Sequence, residues 1–453
     1  MNTFDLIVIG AGAGLNVASE AVAHGLKTAI IEEGPMGGTC LNRGCIPSKI
    51  VIHSADVADT IKNSQLFGIF SSIKKIDFAK VTRRASCTVD ADAGSIEKAV
   101  KRGRNPTLFK GRGKFVGDKI LEVNGQKIEG KKVLIAAGAR AFIPPIEGLD
   151  KVPFITSKEA LRQTKLPKSM IIIGGGYIGA ELGNFYAALG CKVAMIQRGP
   201  LLISREDKDA AKLYTDLAKK KFNLLTNAAA VKVEKKFGKV VVHVKQGKKI
   251  HKAKAEKLFL AAGVKPNSDT LDLEKTGVKV NKLGFIEVNK FMETNVKNIW
   301  ALGDIVGNYM FRHSANLEAD CVSNNILRKR KAVDYFPMPH VVFSNPQIAG
   351  VGLTEQEAIE QKKNFVIGVE YYKNTGMGEA LQEKDGFVKF IVEKKSRKIL
   401  GCHLIGPHAS ILLHEVVVAM KSKENALDLI RNTVHVHPAL NEVVQRAALN
   451  VPL

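Results

Sequence analysis

Residues 6–15 read Leu6-Ile7-Val8-Ile9-Gly10-Ala11-Gly12-Ala13-Gly14-Leu15. Four consecutive apolar residues suit a buried strand, and the glycines behind them force a turn. A helix-like run from Val17 to Ala23 follows, and then a second apolar strand, Thr28-Ala29-Ile30-Ile31, closed by Glu32. Strand, glycine turn, helix and strand make a βαβ unit. In such a turn the first glycine, Gly10, permits the bend, and the second, Gly12, lets backbone amides approach a pyrophosphate. The third allows close helix packing, and the helix amino end attracts the anion. Leu15 stands where the third glycine belongs. Glu32, 22 residues after Gly10, is placed to meet a ribose hydroxyl.

The pattern returns near Met170: Ile171-Ile172-Ile173, then Gly174-Gly175-Gly176-Tyr177-Ile178-Gly179, a helix through Leu189, and the strand Val193-Ala194-Met195-Ile196. Here Gly174, Gly176 and Gly179 are all in place, but the strand ends in Gln197-Arg198 without an acid. An acid at that point favours NAD, whereas an arginine accommodates a 2′-phosphate. NADP(H) is therefore expected in preference to NAD(H), with Arg198 and also Arg205 at the phosphate. Two copies of the unit imply two nucleotide ligands.

Between them, Val133-Leu134-Ile135-Ala136-Ala137-Gly138 reads as a further buried strand, and Pro144-Pro145 as a boundary. Leu258 to Gly263 is its counterpart in the second unit, Pro266-Asn267 a second boundary, and Asn298 to Asp304 another strand. Beyond that the pattern changes to strands such as Gly386 to Val392 and helical runs at Ser410–Met420 and Pro438–Leu449. The predicted class is α/β: two Rossmann-like nucleotide-binding domains and a C-terminal α+β module, with divisions at 1–145, 146–265, 266–333 and 334–453.

A chain of 453 residues agrees with several domains at roughly 100–200 residues each. With 45% hydrophobic and 25% charged residues, disordered, collagen-like and disulfide-scaffold chains are excluded. No stretch approaches the ~18 apolar residues of a membrane span, and the run Phe4–Ile9 is too short for a signal peptide, so no membrane and a cytoplasmic location are expected. The net charge is +24, from 68 Lys+Arg against 44 Asp+Glu. The basic runs 219–221, 328–331 and 394–395 lie far apart and lack interleaved aromatics, which points to solvated surface rather than a nucleic-acid partner.

Of six cysteines only Cys40 and Cys45 are close in sequence, within Gly37-Gly38-Thr39-Cys40-Leu41-Asn42-Arg43-Gly44-Cys45-Ile46-Pro47-Ser48-Lys49. Zinc would want two further ligands at suitable spacing, and His53 stands alone, so no metal site is expected. In a regular helix residues five apart are separated by about 7.5 Å along the axis, beyond the ~6.8 Å reach between disulfide-linked alpha carbons. A bridge here needs a bent turn, which Gly44 and Asn42 make easier, and Pro47 suits a helix only near its first turn.

This segment, the paired nucleotide units, Ala301-Leu302-Gly303-Asp304 and His437-Pro438-Ala439-Leu440-Asn441-Glu442 occur in the same order as in one known family. Over essentially the whole chain they resemble the class I pyridine nucleotide-disulfide oxidoreductases, flavoproteins that include dihydrolipoamide dehydrogenase, glutathione reductase and mycothione reductase. Phe311-Arg312-His313 and the flanks of the cysteines look most like the dihydrolipoamide dehydrogenase and mycothione reductase branch.

The resemblance implies FAD in the first unit, in a domain made of 1–145 and 266–333. Gly10, Gly12 and Glu32 would meet its adenosine half, Gly113 and Gly138 would give backbone contacts, and Asp304, Met310 and His313 would line the ribityl chain and flavin. Lys49 would pair with Glu181 beside the ring. The NAD(P) domain, 146–265, would use Gly174, Gly176, Gly179, Arg198 and Gly263, with Tyr177 where glutathione reductase covers its nicotinamide pocket. Cys40 and Cys45 would form the redox-active disulfide, Cys45 facing the flavin and Cys40 attacking the substrate. His437 would be the acid/base and Glu442 the carboxylate that orients it. In the family this dyad comes from the neighbouring subunit, which implies a homodimer closed by an interface domain, 334–453. The implied activity passes electrons between nicotinamide, FAD, the cysteine pair and a small dithiol or disulfide. The alternatives are a glutathione-type reductase of low-molecular-weight disulfides and a basic nucleic-acid-binding flavoprotein without turnover.

Overall fold

The strand Asn2–Ile9 is buried from Leu6 to Ile9 because it has neighbours on both sides, Thr28–Glu32 and Gln126–Ile135, both parallel to it. Such doubly covered strands read as continuous aliphatic runs, as this one does. The computed structural model describes residues 1–424 and 426–452. They fall into two compact units, one of Met1–Ile50, Lys80–Phe142 and Gly263–Tyr335, the other of Val51–Ala79, Ile143–Ala262 and Phe336–Leu453.

In the first unit the parallel strands lie in the order Thr107–Lys110, Thr28–Glu32, Asn2–Ile9, Gln126–Ile135, Ile299–Ala301. The antiparallel strands Gly113–Gly117 and Ile120–Val123 extend the sheet from Gln126–Ile135. Helices Gly14–Ala23 and Arg312–Leu327 pack together, and the core joins Ile7, Val8, Ile30, Leu134, Ala301 and Val322. The carboxyl ends of the strands are laced together: the Gly10 amide bonds Ile31 O at 2.8 Å, Ala136 bonds Ile9 O at 2.8 Å, and Leu302 bonds Ile135 O at 3.1 Å. Gly10, Glu32, Gly138 and Asp304 therefore emerge along one edge, where parallel α/β sheets bind their ligands.

The second unit has a parallel sheet ordered Asn223–Leu225, Lys192–Ile196, Ser169–Ile173, Lys257–Leu260. A three-stranded antiparallel sheet, Ala228–Lys236, Lys239–Gln246 and Lys249–Ala255, precedes the last of these, with Val240, Val242 and Val244 supplying its core face. The sequence reading did not anticipate this sheet; lysines dilute the pattern of its first and third strands. A five-stranded antiparallel sheet follows, ordered Pro339–Val342, Gln347–Gly352, Ile399–Gly406, Phe387–Glu393, Phe365–Tyr371. Its core side packs against helices Ala409–Lys421 and Glu442–Leu449.

The last helix starts at Glu442, not at Pro438 as expected. The carbonyls of Ala439, Leu440 and Asn441 accept amides three residues ahead, at 3.3, 3.1 and 3.0 Å, which makes a tight turn instead of a helical one. Among the described residues no helix is long and apolar enough to cross a membrane.

Candidate active site

The cysteine segment is built against the first glycine turn. The Gly37 amide donates to Ala11 O at 2.9 Å, and a Cβ on Gly38 would stand only 2.6 Å from Gly12 Cα, so the two loops touch backbone to backbone. Helix Gly38–Arg43 then runs to Gly44, whose φ of −137° and ψ of −110° break it, and helix Cys45–Asn63 restarts immediately. Cys40 and Cys45 stand on the two sides of that break. Asn42 pins the turn from inside: buried, its Nδ2 donates to Met36 O and Gly38 O, both at 2.9 Å. Sequence reading had credited Asn42 only with easing the bend.

Both cysteines are thiols in the structure and only half-buried. The Cys45 thiol donates to the Cys40 sulfur, and this bond, helped against burial by the Arg312 guanidinium and the Lys49 ammonium, brings the Cys40 pKa down to about 7. The same bond and burial push Cys45 well above the ordinary thiol range. Of the two, Cys40 is thus the one that carries a nucleophilic thiolate near neutral pH. Lys49 Nζ reaches Ser48 Oγ at 3.3 Å, and Ser48 Oγ in turn donates to Cys45 O at 3.1 Å.

The two glycine turns are near copies. Gly10 has φ +100° and Gly174 φ +111°, and a Cβ on either would strike the carbonyl of Ala136 or Ala261 at 2.3 or 2.2 Å, so glycine is required at both. The packing task of the missing third glycine falls to Gly14, one residue early: a Cβ there would meet Val8 Cγ1 at 2.8 Å. Leu15 instead packs at the margin of the core. In the second unit Gly179 keeps the usual position, 2.0 Å from Gly174 O if given a Cβ.

The residues of the first unit fit FAD. Gly138 faces open space where a side chain would project, and a Cβ on Gly12 would meet nothing nearer than Gly38 Cα at 3.8 Å. No acidic side chain occupies the first turn of helix Gly14–Ala23, which leaves its positive end for a pyrophosphate. Glu32 accepts the Ala11 amide at 2.8 Å and the Gly34 amide at 2.7 Å, which fixes its carboxylate at the strand end. Gly113 is buried against Ile31. Asp304 lies in a short turn after Ile299–Ala301, its pKa raised by burial. That turn is held by a residue the sequence did not single out: Glu318, fully buried, accepts the Gly303 amide and the Tyr335 hydroxyl, each at 2.6 Å. Burial lifts the Glu318 pKa to about 7. Met310 precedes helix Arg312–Leu327, and the His313 ring stacks on Phe311 with centroids 5.1 Å apart. Gly263 belongs to this unit too, accepting the Phe142 amide at 2.9 Å.

Gly174, Gly176, Gly179, Glu181, Arg198, His437 and Glu442 lie in the second unit. The Gly175 amide donates to Gln197 Oε1 at 3.0 Å, and Gln197 Nε2 donates to Leu201 O at 3.1 Å. Arg198 and Arg205 are exposed. Glu181 is buried and accepts the Phe343 amide at 3.0 Å. The Tyr177 hydroxyl is engaged by Glu206. His437 Nδ1 sits 2.9 Å from Glu442 Oε1, and Glu442 Oε2 accepts the Ala439 amide at 3.2 Å. The bond from His437 holds the Glu442 carboxyl below its usual range. The His437 side chain remains 71% exposed, leaving the far side of its ring open.

Comparison with known proteins agrees with this geometry. The pyridine nucleotide-disulphide oxidoreductase family model matches residues 4–319, and the dimerisation domain of the same family matches residues 338–448. Mycothione reductase of Mycobacterium tuberculosis strain H37Rv is 33% identical over 463 residues, covering 100% of both chains. Dihydrolipoyl dehydrogenase of Geobacillus stearothermophilus is 36% identical over 451 residues, 98% of this chain and 95% of that one. The HOCl-induced flavoprotein disulfide reductase RclA from Escherichia coli superposes with a TM-score of 0.88 at 26% identity, covering 98% of this chain and 99% of its own. Relatives of this kind are flavoprotein enzymes that act on sulfur groups with NAD(P)H. With two glycine turns, a split cysteine pair and both family domains in order, the chain belongs to the pyridine nucleotide-disulfide oxidoreductase family.

Proposed function

We propose that the protein is an NADPH-preferring reductase of a small disulfide, close to the mycothione reductase and dihydrolipoyl dehydrogenase branch, and works as a homodimer. The observation that carries this reading is the unequal cysteine pair: Cys40 with its pKa near 7, Cys45 held as the donor behind it. Bound FAD supplies a two-electron carrier between nicotinamide and sulfur. Gly10, Gly12, Glu32, Gly113, Gly138, Asp304, Met310 and His313 would hold it, with Lys49 and Glu181 as the ion pair beside its ring.

Cys40 attacks a substrate sulfur to give a mixed disulfide, and Cys45 resolves it by closing the Cys40–Cys45 bridge. The departing thiolate takes a proton from His437, oriented through Nδ1 by Glu442. His437 is exposed on its own chain beside exposed Val434 and Val436, which suits a dyad delivered to a partner's cysteines across an apolar contact. Gln197 and Arg198 in place of an acid support NADPH.

The 36% identity to a dihydrolipoyl dehydrogenase favours a second reading, oxidation of dihydrolipoamide with NAD. One panel separates the two: NADPH and NADH with disulfides of mycothiol, glutathione and cysteine, and dihydrolipoamide with NAD and NADP. Turnover of a thiol disulfide with NADPH supports the first reading; strong dihydrolipoamide oxidation with NAD alone overturns it in favour of the second.

A further inference from the structure

In the five-stranded sheet of the second unit, His340, Gly350 and His403 stand in one row: His340 pairs with Gly350, and Gly350 pairs with His403 on its other side. Paired residues on neighbouring strands face the same way, and with strands about 4.8 Å apart the two histidine backbones are roughly 10 Å apart. Only the absent side chain of Gly350 lies between them. The imidazoles lean into that gap: a Cβ on Gly350 would lie 2.5 Å from His340 Cε1, 2.8 Å from His340 Nε2 and 2.7 Å from His403 Nδ1. Glu206, in the segment before helix Lys208–Lys221, joins them, with its Oε1 3.0 Å from His340 Nδ1 and bonded by the Tyr177 hydroxyl.

Two acceptors in this cluster have no hydrogen-bond partner. His403 is fully buried, and its Nε2 lies 2.9 Å from the carbonyl of Leu353, which puts the ring proton on Nε2 and leaves a bare lone pair on Nδ1. That Nδ1 is unpartnered, and so is Oε2 of Glu206, a residue 1% exposed. A backbone carbonyl behind one ring nitrogen is how metal-binding histidines are held in the correct tautomer. Lys389, buried in the same sheet, is committed to Asp207, Asp209 and Glu355.

We propose that Glu206, His340 and His403, which bring one ligand atom each to within 4.8 Å of one another, bind a divalent transition-metal ion of the zinc class. Two imidazoles and one carboxylate suit such an ion and not magnesium or calcium, which prefer oxygen. Tetrahedral ligands at about 2.1 Å from zinc stand about 3.4 Å apart, so the three side chains need to draw in by small rotations. The ion would tie the segment before helix Lys208–Lys221 to two strands of the sheet, a structural role separate from the cysteines.

The test uses the purified flavoenzyme, stripped with a chelator and dialysed against zinc chloride alone or magnesium chloride alone, with bound metal measured by mass spectrometry. The same is done for a Cys40→Ser/Cys45→Ser variant and for His340→Gln and Glu206→Gln. Expected are about one zinc per chain, no magnesium, full retention in the double cysteine variant, and about tenfold or greater loss of zinc affinity in each of the other two. Binding unchanged in His340→Gln and Glu206→Gln, loss of binding with the cysteines, or no binding at all overturns the proposal. Should those two variants fail to fold, the double cysteine variant loaded with cobalt(II) decides. Tetrahedral d–d bands without sulfur-to-metal charge transfer support the site, and their absence refutes it.

Discussion

Gln197 does for the second nucleotide unit what Glu32 does for the first: each accepts the amide of the residue after the first glycine, Gly175 at 3.0 Å and Ala11 at 2.8 Å. The backbone task is preserved while the charge is removed. A 2′-phosphate bound there, as proposed, would meet the neutral Gln197 in place of a carboxylate, and exposed Arg198 follows directly.

Replacing Arg198 with glutamate is therefore expected to lower kcat/KM for NADPH by about 10- to 100-fold, the worth of one charge-assisted hydrogen bond, and to leave NADH within a few fold. Steady-state kinetics with both nucleotides check this. Equal losses for the two would remove Arg198 from the phosphate site.

The Cys40 thiol, depressed to about 7, predicts a pH profile. Below that value Cys40 is protonated and slow; above it the thiolate is present, so alkylation of the reduced enzyme by iodoacetamide should rise as pH passes through about 7. Arg312→Gln should move the midpoint upward by removing one of the two cations that lower it. Cys40→Ser and Cys45→Ser should each abolish disulfide turnover while keeping bound flavin. A midpoint near the ordinary thiol value in the wild type contradicts the assigned asymmetry.

His437→Gln should reduce disulfide turnover by about 100-fold or more, the scale of general acid-base catalysis. Glu442→Gln, which keeps a group near Nδ1 but loses the charge, should cost less, about tenfold. Reduction of the enzyme by NADPH, followed by stopped flow, should be unaffected in both if the dyad acts, as proposed, only on the thiol step. Slowed flavin reduction in His437→Gln would falsify that division of labour.

Glu318 sets a stability term. Its pKa is raised to about 7 in the folded protein against 4.5 for the unconstrained group, so the folded state binds more protons between those values and stability falls as pH rises through them. At about 1.4 kcal/mol per unit the loss is on the order of 3 kcal/mol. Denaturant unfolding across that window should show it, and Glu318→Gln should flatten the curve. An unchanged slope in the variant assigns the effect elsewhere.

Strand-turn-helix units such as Leu6–Ala23 and Ile171–Leu189 were legible because their signals are local: an aliphatic run, glycines at fixed spacing, a helix. The bend between Cys40 and Cys45 was legible only conditionally: a disulfide, which the family resemblance implies, would not reach across a regular helix. The three-stranded sheet 228–255 escaped because its outer strands are rich in lysine and alternate weakly. Glu318 and Asn42 escaped for another reason: each acts through backbone groups that the fold brings to it, Gly303 to one and Met36 to the other.

Residue types and spacing by themselves determined the two nucleotide turns, the nearness of Cys40 and Cys45 and the absence of an acid after the second unit, since each lies within one short segment; the redox reading of the cysteines and the choice of His437 and Glu442 came from the family resemblance. Only the tertiary structure decided which cysteine carries the lowered pKa, because that depends first on the Cys45 thiol donating to Cys40 across the helix break and then on Arg312, 272 residues away from Cys40 in sequence. It also showed that Gly14 takes over the packing left by Leu15, since the Val8 side chain sets the clearance. And it alone gathered Glu206, His340 and His403 around Gly350, because strand register, not sequence distance, puts two imidazoles over one glycine.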